Sequence, residues 1–152
     1  MRRSKVEVYL HIVWATWRRQ PYISPEIERA VYRCIEKEIK RLQATVLALG
    51  GIENHVHLLV RIPATLPISR LANQIKGVSS RLVKDQFSEM AHFRWQENYA
   101  VFSVGRTQVA IVQAYVLNQK QHHAENTLHA TWEETDEESL KPGLDEADEA
   151  DS

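Results

Sequence analysis

The chain has 152 residues, of which 43% are hydrophobic and 26% are charged, and its formal net charge is −1. These fractions are ordinary for a globular protein and exclude a protein that is too polar to fold. No apolar run approaches the roughly 20 residues needed to cross a bilayer. The length predicts one domain. We expect a cytoplasmic protein, because no apolar signal segment follows residues 1–4 and the single cysteine, Cys34, cannot form an internal disulfide.

The charges are unevenly distributed along the chain. Residues 133–152 carry ten acidic side chains and one basic one, whereas residues 1–132 carry 18 basic and 10 acidic side chains. We predict a folded domain over residues 1–132 and a disordered acidic tail over residues 133–152. A basic body suits a polyanionic ligand, and the tail either masks that body or has no function.

Hydrophobic periodicity predicts alternating strands and helices. In chain order they are a strand over 6–16, a helix over 25–43 capped by Ser24, a hairpin of strands over 46–52 and 55–62, a helix over 68–87, a strand over 99–104 and a helix over 107–123 capped by Thr107. This order predicts an α+β fold in which helices cover a mostly antiparallel sheet.

Two short patterns suggest a site. His55 and His57 alternate within an apolar strand, so both imidazoles point to the same face of the sheet. Tyr115 and Gln119 are four residues apart in a predicted helix, so they also share a face. Taken singly, each pattern is more typical of packing than of chemistry; His11, on another apolar strand, is predicted to be buried.

Taken together, the four side chains suit the cleavage of a phosphodiester. Two imidazoles and a neutral amide leave most of a bound metal ion's positive charge available to a phosphate oxygen. A tyrosine nucleophile conserves the energy of the broken bond in a covalent phosphotyrosine, which a water-based nuclease would lose. The combination therefore favours strand transfer over simple hydrolysis.

The chain resembles the single-tyrosine HUH transposases of small insertion sequences, over most of residues 8–123. The resemblance rests on the strand around His11, on His55-Val56-His57, on the runs 75–81 and 93–104, and on Tyr115 to Gln119 with His122 and His123. The family often has Asp before the first histidine, where this chain has Asn54. An asparagine accepts a hydrogen bond from a metal ligand but brings no charge.

The resemblance implies a ferredoxin- or RRM-like sheet and a homodimer that acts on single-stranded DNA hairpins. His55, His57 and Gln119 would then hold Mg²⁺ or Mn²⁺, with Mn²⁺ expected to bind this ligand set more tightly. Tyr115 would form a 5′-phosphotyrosine, and the free 3′-hydroxyl would rejoin strands. Whether the tyrosine serves its own subunit or the partner stays open, as does a role for His122 as a further metal ligand.

Basic, hydroxyl and aromatic side chains are candidates for DNA contacts. They are Arg18, Arg19, Lys76, Ser79, Ser80, Arg81, Lys84 and Trp95. Three alternatives remain: a domesticated repeat-associated tyrosine transposase, a hairpin-binding regulator with little catalytic activity, and a metal hydrolase that uses the His-x-His pair. No carboxylate-rich ligand set for the hydrolase is evident in the sequence.

Overall fold

A computed structural model describes residues 4–136 of the chain. The strands are β1 (Val8–Ala15), β2 (Thr45–Ile52), β3 (His55–Ile62) and β4 (Ala100–Val104). The α-helices are α1 (Pro25–Arg41), α2 (Ile68–Gln86), α3 (Val109–Leu117) and α4 (Gln119–Glu125), and short 3₁₀ turns span Trp17–Arg19, Ser88–Met90, Arg106–Gln108 and Thr131–Glu133. These bounds lie within a few residues of the predicted ones up to β4.

The four strands form one antiparallel sheet in the order β2-β3-β1-β4. Together with α1 and α2, their chain order is β-α-β-β-α-β, the ferredoxin-like arrangement. The predicted α+β class with an antiparallel sheet is confirmed. His55 and His57 lie on the central strand β3, where they pair with Ala15 and Val13 of the other central strand, β1.

Helices cover both faces of the sheet. On one face, α1 and α2 pack against alternate residues of β1 and β3, among them Leu10, Ile12 and Leu58. On the other face, α3 packs Val112 and Val116 against Leu59. Because both faces are covered, β1 and β3 read as nearly continuous apolar runs instead of alternating ones.

The predicted helix over residues 107–123 is divided in two. Thr107 lies in a 3₁₀ turn, and no side-chain cap hydrogen bond marks the start of α3, so the predicted Thr107 cap is wrong. Helices α3 and α4 meet at Asn118, whose side-chain N–H donates to the carbonyl of Ala114 at 2.9 Å. An asparagine that binds its own helix's carbonyl competes with helix continuation, and α4 therefore starts again at Gln119.

The chain turns back after α4. Asn126, in a left-handed conformation with φ of 55°, ends the helix, and its N–H and that of Thr127 donate to the carbonyl of His122. We call residues 127–136 the return segment. Four of its residues, 133–136, belong to the predicted acidic tail, and in the structure Thr135 is buried and accepts a hydrogen bond from Arg19 at 3.1 Å.

The rest of the predicted tail, residues 137–152, lies outside the described residues, and the domain boundary stays a prediction. Within residues 4–136, no helix combines the length and the apolar character that crossing a membrane requires.

Candidate metal centre and its tyrosine

The two histidines of β3 point toward the face of the sheet that carries α3. Both are buried, with exposed fractions of 2% for His55 and 0% for His57. Their ring centroids are 5.0 Å apart. The alternation of a β-strand therefore brings the two imidazoles side by side in a space sheltered from water.

A second layer of side chains holds each imidazole. His55 Nδ1 is 2.7 Å from Asn54 Oδ1, and because a carboxamide oxygen only accepts, His55 carries its proton on Nδ1. His57 Nδ1 is 2.9 Å from Nε2 of His11, which is fully buried as predicted. Burial lowers the pKa of His57, and it lowers that of His11 to about 3. In this arrangement the Nε2 atoms of His55 and His57 are available to a metal ion.

A carboxylate from the return segment faces the two imidazoles. Glu133 Oε2 lies 2.7 Å from His57 Nε2 and 3.7 Å from His55 Nε2, and the three ligand atoms are all within 4.8 Å of one another. Burial raises the pKa of Glu133, but the side chains of His55 and His57 outweigh this and hold that pKa well below its usual range. Glu133 is a site residue that the sequence did not reveal, because it lies at the start of an acidic run without periodicity.

Gln119 is buried and joins the same cluster through His123. Its Oε1 accepts a hydrogen bond from His123 Nε2 at 3.1 Å, and its amide N–H donates to the carbonyl of Tyr115 at 3.3 Å. His123 Nε2 also lies 2.9 Å from Glu133 Oε1, and burial lowers the pKa of His123. The amide and the carboxylate therefore both contact His123, whose ring centroid is 4.9 Å from that of His55.

Tyr115 lies next to this cluster and is 7% exposed. Its ring centroid is 5.9 Å from that of His57 and 5.1 Å from that of Trp132 in the return segment. The phenol oxygen accepts a hydrogen bond from the backbone N–H of His129 at 3.0 Å. Burial raises the pKa of Tyr115 above its ordinary value, and the N–H of His129 offsets part of this rise. The predicted nucleophile is thus beside the predicted metal pair, beneath the return segment.

His122 is not part of the candidate metal cluster. Its ring stacks on Tyr115 with centroids 4.7 Å apart, and its Nδ1 is 3.0 Å from the hydroxyl of Thr127. The structure therefore places His123, not His122, beside Glu133. The geometry favours a role for His122 in supporting the tyrosine ring.

A glycine on the sheet allows the tyrosine helix to come this close. Gly50 pairs with His57 across β2 and β3, and a Cβ atom built on Gly50 would overlap the carbonyl oxygen of Val116. The backbone of α3 therefore lies directly on β2 at the level of the second histidine. Only glycine permits an approach of this kind.

Three of the predicted DNA contacts are buried inside the protein. Lys76 donates to three carbonyl oxygens of residues 96–98, and the indole N–H of Trp95 donates to Ser79 Oγ at 2.9 Å. Lys76, Ser79 and Trp95 are 9%, 0% and 5% exposed. Their polar atoms hold the segment that leads into β4, so they are not available on the surface.

The other predicted DNA contacts lie in two places. Ser80, Arg81 and Lys84 belong to α2, on the face of the sheet opposite His55 and His57. Arg18 and Arg19 are exposed in the turn after β1, at the end of the sheet where Ala15 pairs with His55. The structure brings only this second group toward the histidines.

The turn after β1 also presents an aromatic ring, Trp17, next to two guanidinium groups. The guanidinium carbon of Arg94 lies 4.1 Å from the centroid of the Trp17 ring, and that of Arg18 lies 5.4 Å from it. Arg18 and Arg19 both have positive φ angles, 52° and 53°. For residues other than glycine this conformation is costly, and it is typical of functional turns.

The chain is similar in sequence to known transposases. A family model described as "Transposase IS200 like" matches residues 4–119. The transposases for insertion sequence element IS200 of Salmonella typhimurium and Salmonella typhi are each 30% identical over 115 residues, covering 72% of this chain and 74% of the relative.

Solved structures give the same result for the fold. A putative transposase from Deinococcus radiodurans R1 has a TM-score of 0.64 at 23% identity, covering 78% of this chain and 98% of that one. A REP-associated tyrosine transposase bound to a REP hairpin has a TM-score of 0.61 at 11% identity, covering 84% and 74%.

These matches define the class of protein as a transposase, an enzyme that cleaves and rejoins DNA. The chain belongs to the IS200-like transposase family. The resemblance drawn from the histidine pair and the tyrosine motif is thereby confirmed at the level of the family.

Proposed function

We propose that this protein is a metal-dependent endonuclease and strand transferase for single-stranded DNA, acting through a 5′-phosphotyrosine. The observation that carries the proposal is the position of Tyr115, whose ring lies 5.9 Å from that of His57 in a shared buried site. A structural tyrosine has no need of two buried imidazoles and a carboxylate beside it. The IS200-like family supplies the reaction class.

His55, His57 and Gln119 would hold Mg²⁺ or Mn²⁺, and the bound ion would act as a Lewis acid on a non-bridging oxygen of the scissile phosphate. Tyr115 attacks the phosphorus with its phenol oxygen, a P–O bond to the tyrosine forms, and the P–O3′ bond breaks. The 3′ oxygen leaves with a proton as a free hydroxyl. The N–H of His129 stabilises negative charge on the phenol oxygen.

Rejoining is the same exchange in reverse. A 3′-hydroxyl attacks the phosphotyrosine of another end, the new P–O3′ bond forms, and Tyr115 is released with a proton. No external energy source is needed, because the phosphotyrosine conserves the energy of the original bond.

We propose hairpins of single-stranded DNA as the substrate. One structural neighbour is bound to a REP hairpin, and in this chain Trp17 with Arg18, Arg19 and Arg94 offers an aromatic ring and three cations near the histidines. Such a surface stacks on unpaired bases and neutralises phosphates. Ser80, Arg81 and Lys84 would contact more distant backbone, whereas Lys76, Ser79 and Trp95 support the segment that leads into β4.

We further propose that the protein acts in the cytoplasm as a homodimer. Helix α3 exposes apolar side chains on the side away from the sheet: Ile111 is 56% exposed and Leu117 is 59% exposed, and Ala110 and Ala114 of the same helix are also exposed. A helix that is apolar all round is normally covered on both sides. A second copy of this helix would bury the exposed face.

The test is a denaturing gel of the protein with labelled single-stranded hairpins and Mn²⁺. We expect a slowly migrating covalent band with the wild type, its absence with Tyr115→Phe, and unchanged hairpin binding by that variant. Tyr22→Phe, in the α1 face of the core, is the matched control and should retain the band. Hairpin binding without any adduct would instead favour a regulator.

A domesticated repeat-associated transposase is the second candidate, favoured by the structural likeness to the REP-associated enzyme. Genomic context separates the two. Several identical copies with hairpin ends indicate a mobile element, and a single copy among scattered repeats indicates the domesticated form.

A further inference from the structure

We infer that Glu133 is itself a ligand of the metal ion and adds a carboxylate to the two-histidine site. The inference rests on the proposed function, because it concerns the same metal. It goes beyond the ligand set expected from the sequence, which is His55, His57 and Gln119 with His122 left open. Three independent features of the described residues support it.

The first feature is the spacing of the ligand atoms. Glu133 Oε2 is 2.7 Å from His57 Nε2 and 3.7 Å from His55 Nε2. Nitrogen and oxygen ligands bind divalent transition metals at about 2.0–2.2 Å, so neighbouring ligand atoms of one ion lie about 3 Å apart. The three atoms are therefore placed as ligands of one ion are, on the corners of a single coordination polyhedron.

The second feature is that these atoms are buried and face one another. Nε2 of His55, Nε2 of His57 and both carboxylate oxygens of Glu133 are inaccessible to water, and the carboxylate lies against the imidazoles of His55, His57 and His123. Asn54 fixes the proton of His55 on the opposite ring nitrogen, so a lone pair faces the carboxylate. Buried lone pairs that face one another are costly, and a cation among them removes the cost.

The third feature is that the carboxylate is held in place from several sides. His123 lies 2.9 Å from its other oxygen, Oε1, which leaves Oε2 toward the histidines. On either side of Glu133 in the chain, Trp132 packs on Tyr115 and Thr135 is bound by Arg19. The side chain is thus positioned before a ligand arrives, and little entropy is lost when the metal binds.

A carboxylate ligand alters what the site does. Two imidazoles and an amide are neutral and hold a divalent ion weakly, whereas a carboxylate offsets one of its two charges and tightens binding. Because the same segment covers Tyr115, a metal ion bound by Glu133 would also fix the return segment over the nucleophile. Metal affinity and access to the tyrosine are thereby linked.

The test is a titration of the full chain with Mn²⁺ alone, without DNA, in which free Mn²⁺ is followed by electron paramagnetic resonance. We expect Glu133→Gln to weaken Mn²⁺ binding at least about tenfold, since even partners of metal ligands have effects of that size. Glu134→Gln, which removes the adjacent carboxylate, is the matched control and should bind as the wild type does. His57→Ala reports on the histidine pair itself.

The outcomes distinguish the inference from the proposed function. Loss of binding in His57→Ala but wild-type affinity in Glu133→Gln would overturn the inference and leave the metal site of the proposed function in place. Absence of Mn²⁺ binding in the wild type would overturn both. Glu133→Asp keeps the charge and should bind Mn²⁺ more tightly than Glu133→Gln does. A folded Glu133→Asp variant that binds Mn²⁺ no better than Glu133→Gln would also count against a ligand role.

Discussion

At the scale of single residues, the site depends on side chains that contact His55 and His57 from behind. Asn54 fixes the proton of His55 on Nδ1, and His11 holds Nδ1 of His57 at 2.9 Å. Partners of this kind orient metal ligands and raise their basicity. The chemistry of the site therefore depends on residues behind the histidines as much as on the histidines themselves.

Replacing Asn54 tests this dependence in both directions. Asn54→Asp should tighten Mn²⁺ binding, because a charged acceptor makes the His55 imidazole more basic, and Asn54→Ala should weaken it by about tenfold or more. The affinities can be measured by titration of the free protein with Mn²⁺. Equal affinities for the two variants would mean that the hydrogen bond to His55 has no effect on the site.

At the scale of elements, the position of the tyrosine depends on how α3 sits on the sheet. Gly50 leaves room for the carbonyl of Val116, so the helix that carries Tyr115 rests directly on β2. The break at Asn118 then gives α4 a separate start, which leaves Gln119 and His123 beside Glu133. The site is thus assembled by one glycine contact and one interruption of a helix.

Gly50→Ala should destabilise the fold by about 1–3 kcal/mol, the usual cost of overpacking, and displace Tyr115 from the histidines. The measurement pairs a thermal melt with an assay of covalent adduct formation. Gly77→Ala is the matched control, because a Cβ there meets nothing within 4 Å, and in a helix it should stabilise by about 0.5–1 kcal/mol. Wild-type stability and activity in Gly50→Ala would refute the close approach of α3.

The hydrogen-bonded support of the segment before β4 can be tested separately from DNA binding. Ser79→Ala leaves the buried N–H of Trp95 without its acceptor and should cost about 1–3 kcal/mol of unfolding free energy. Ser80→Ala, one residue later on α2, should change stability little. Denaturant unfolding measures both effects. If Ser79→Ala weakened DNA binding without loss of stability, the original expectation of a DNA contact would hold.

At the scale of the whole molecule, charge separates the chain into two parts. Residues 1–136 contain 18 basic and 13 acidic side chains, whereas residues 137–152 contain one basic and seven acidic ones. A polyanionic segment competes with DNA for a basic body, and the competition weakens as salt screens it.

Ending the chain after Asp136 should therefore strengthen binding to non-specific single-stranded DNA at low salt, with the difference shrinking as salt rises. This cut keeps Glu133 in the site. Fluorescence anisotropy with a labelled oligonucleotide at several salt concentrations measures the effect. The same affinity with and without residues 137–152 at low salt would show that the acidic residues do not compete.

Periodicity and turn residues predicted the sheet, the helices and the face shared by His55 and His57, because these features depend on neighbours in the chain. The position of Gln119 next to His123 depends on Gly50 and Asn118, and the spacing of these two residues in the sequence does not predict the contacts that they make. Glu133 could not be predicted, since its place results from the left-handed turn at Asn126 and the packing of Trp132 on Tyr115. Burial of Lys76 and Trp95 likewise follows from tertiary contacts alone.

If Tyr115 becomes covalently joined to DNA, mass spectrometry of the adduct will locate the attachment on this residue. Wild-type protein is incubated with a cleavable single-stranded hairpin and Mn²⁺, and the adduct is digested with nuclease and protease. We predict one peptide carrying a 5′-phosphonucleotide, with the modification on Tyr115. A nucleotide attached to any other residue, or cleaved DNA with no modified peptide, would show that Tyr115 is not the nucleophile.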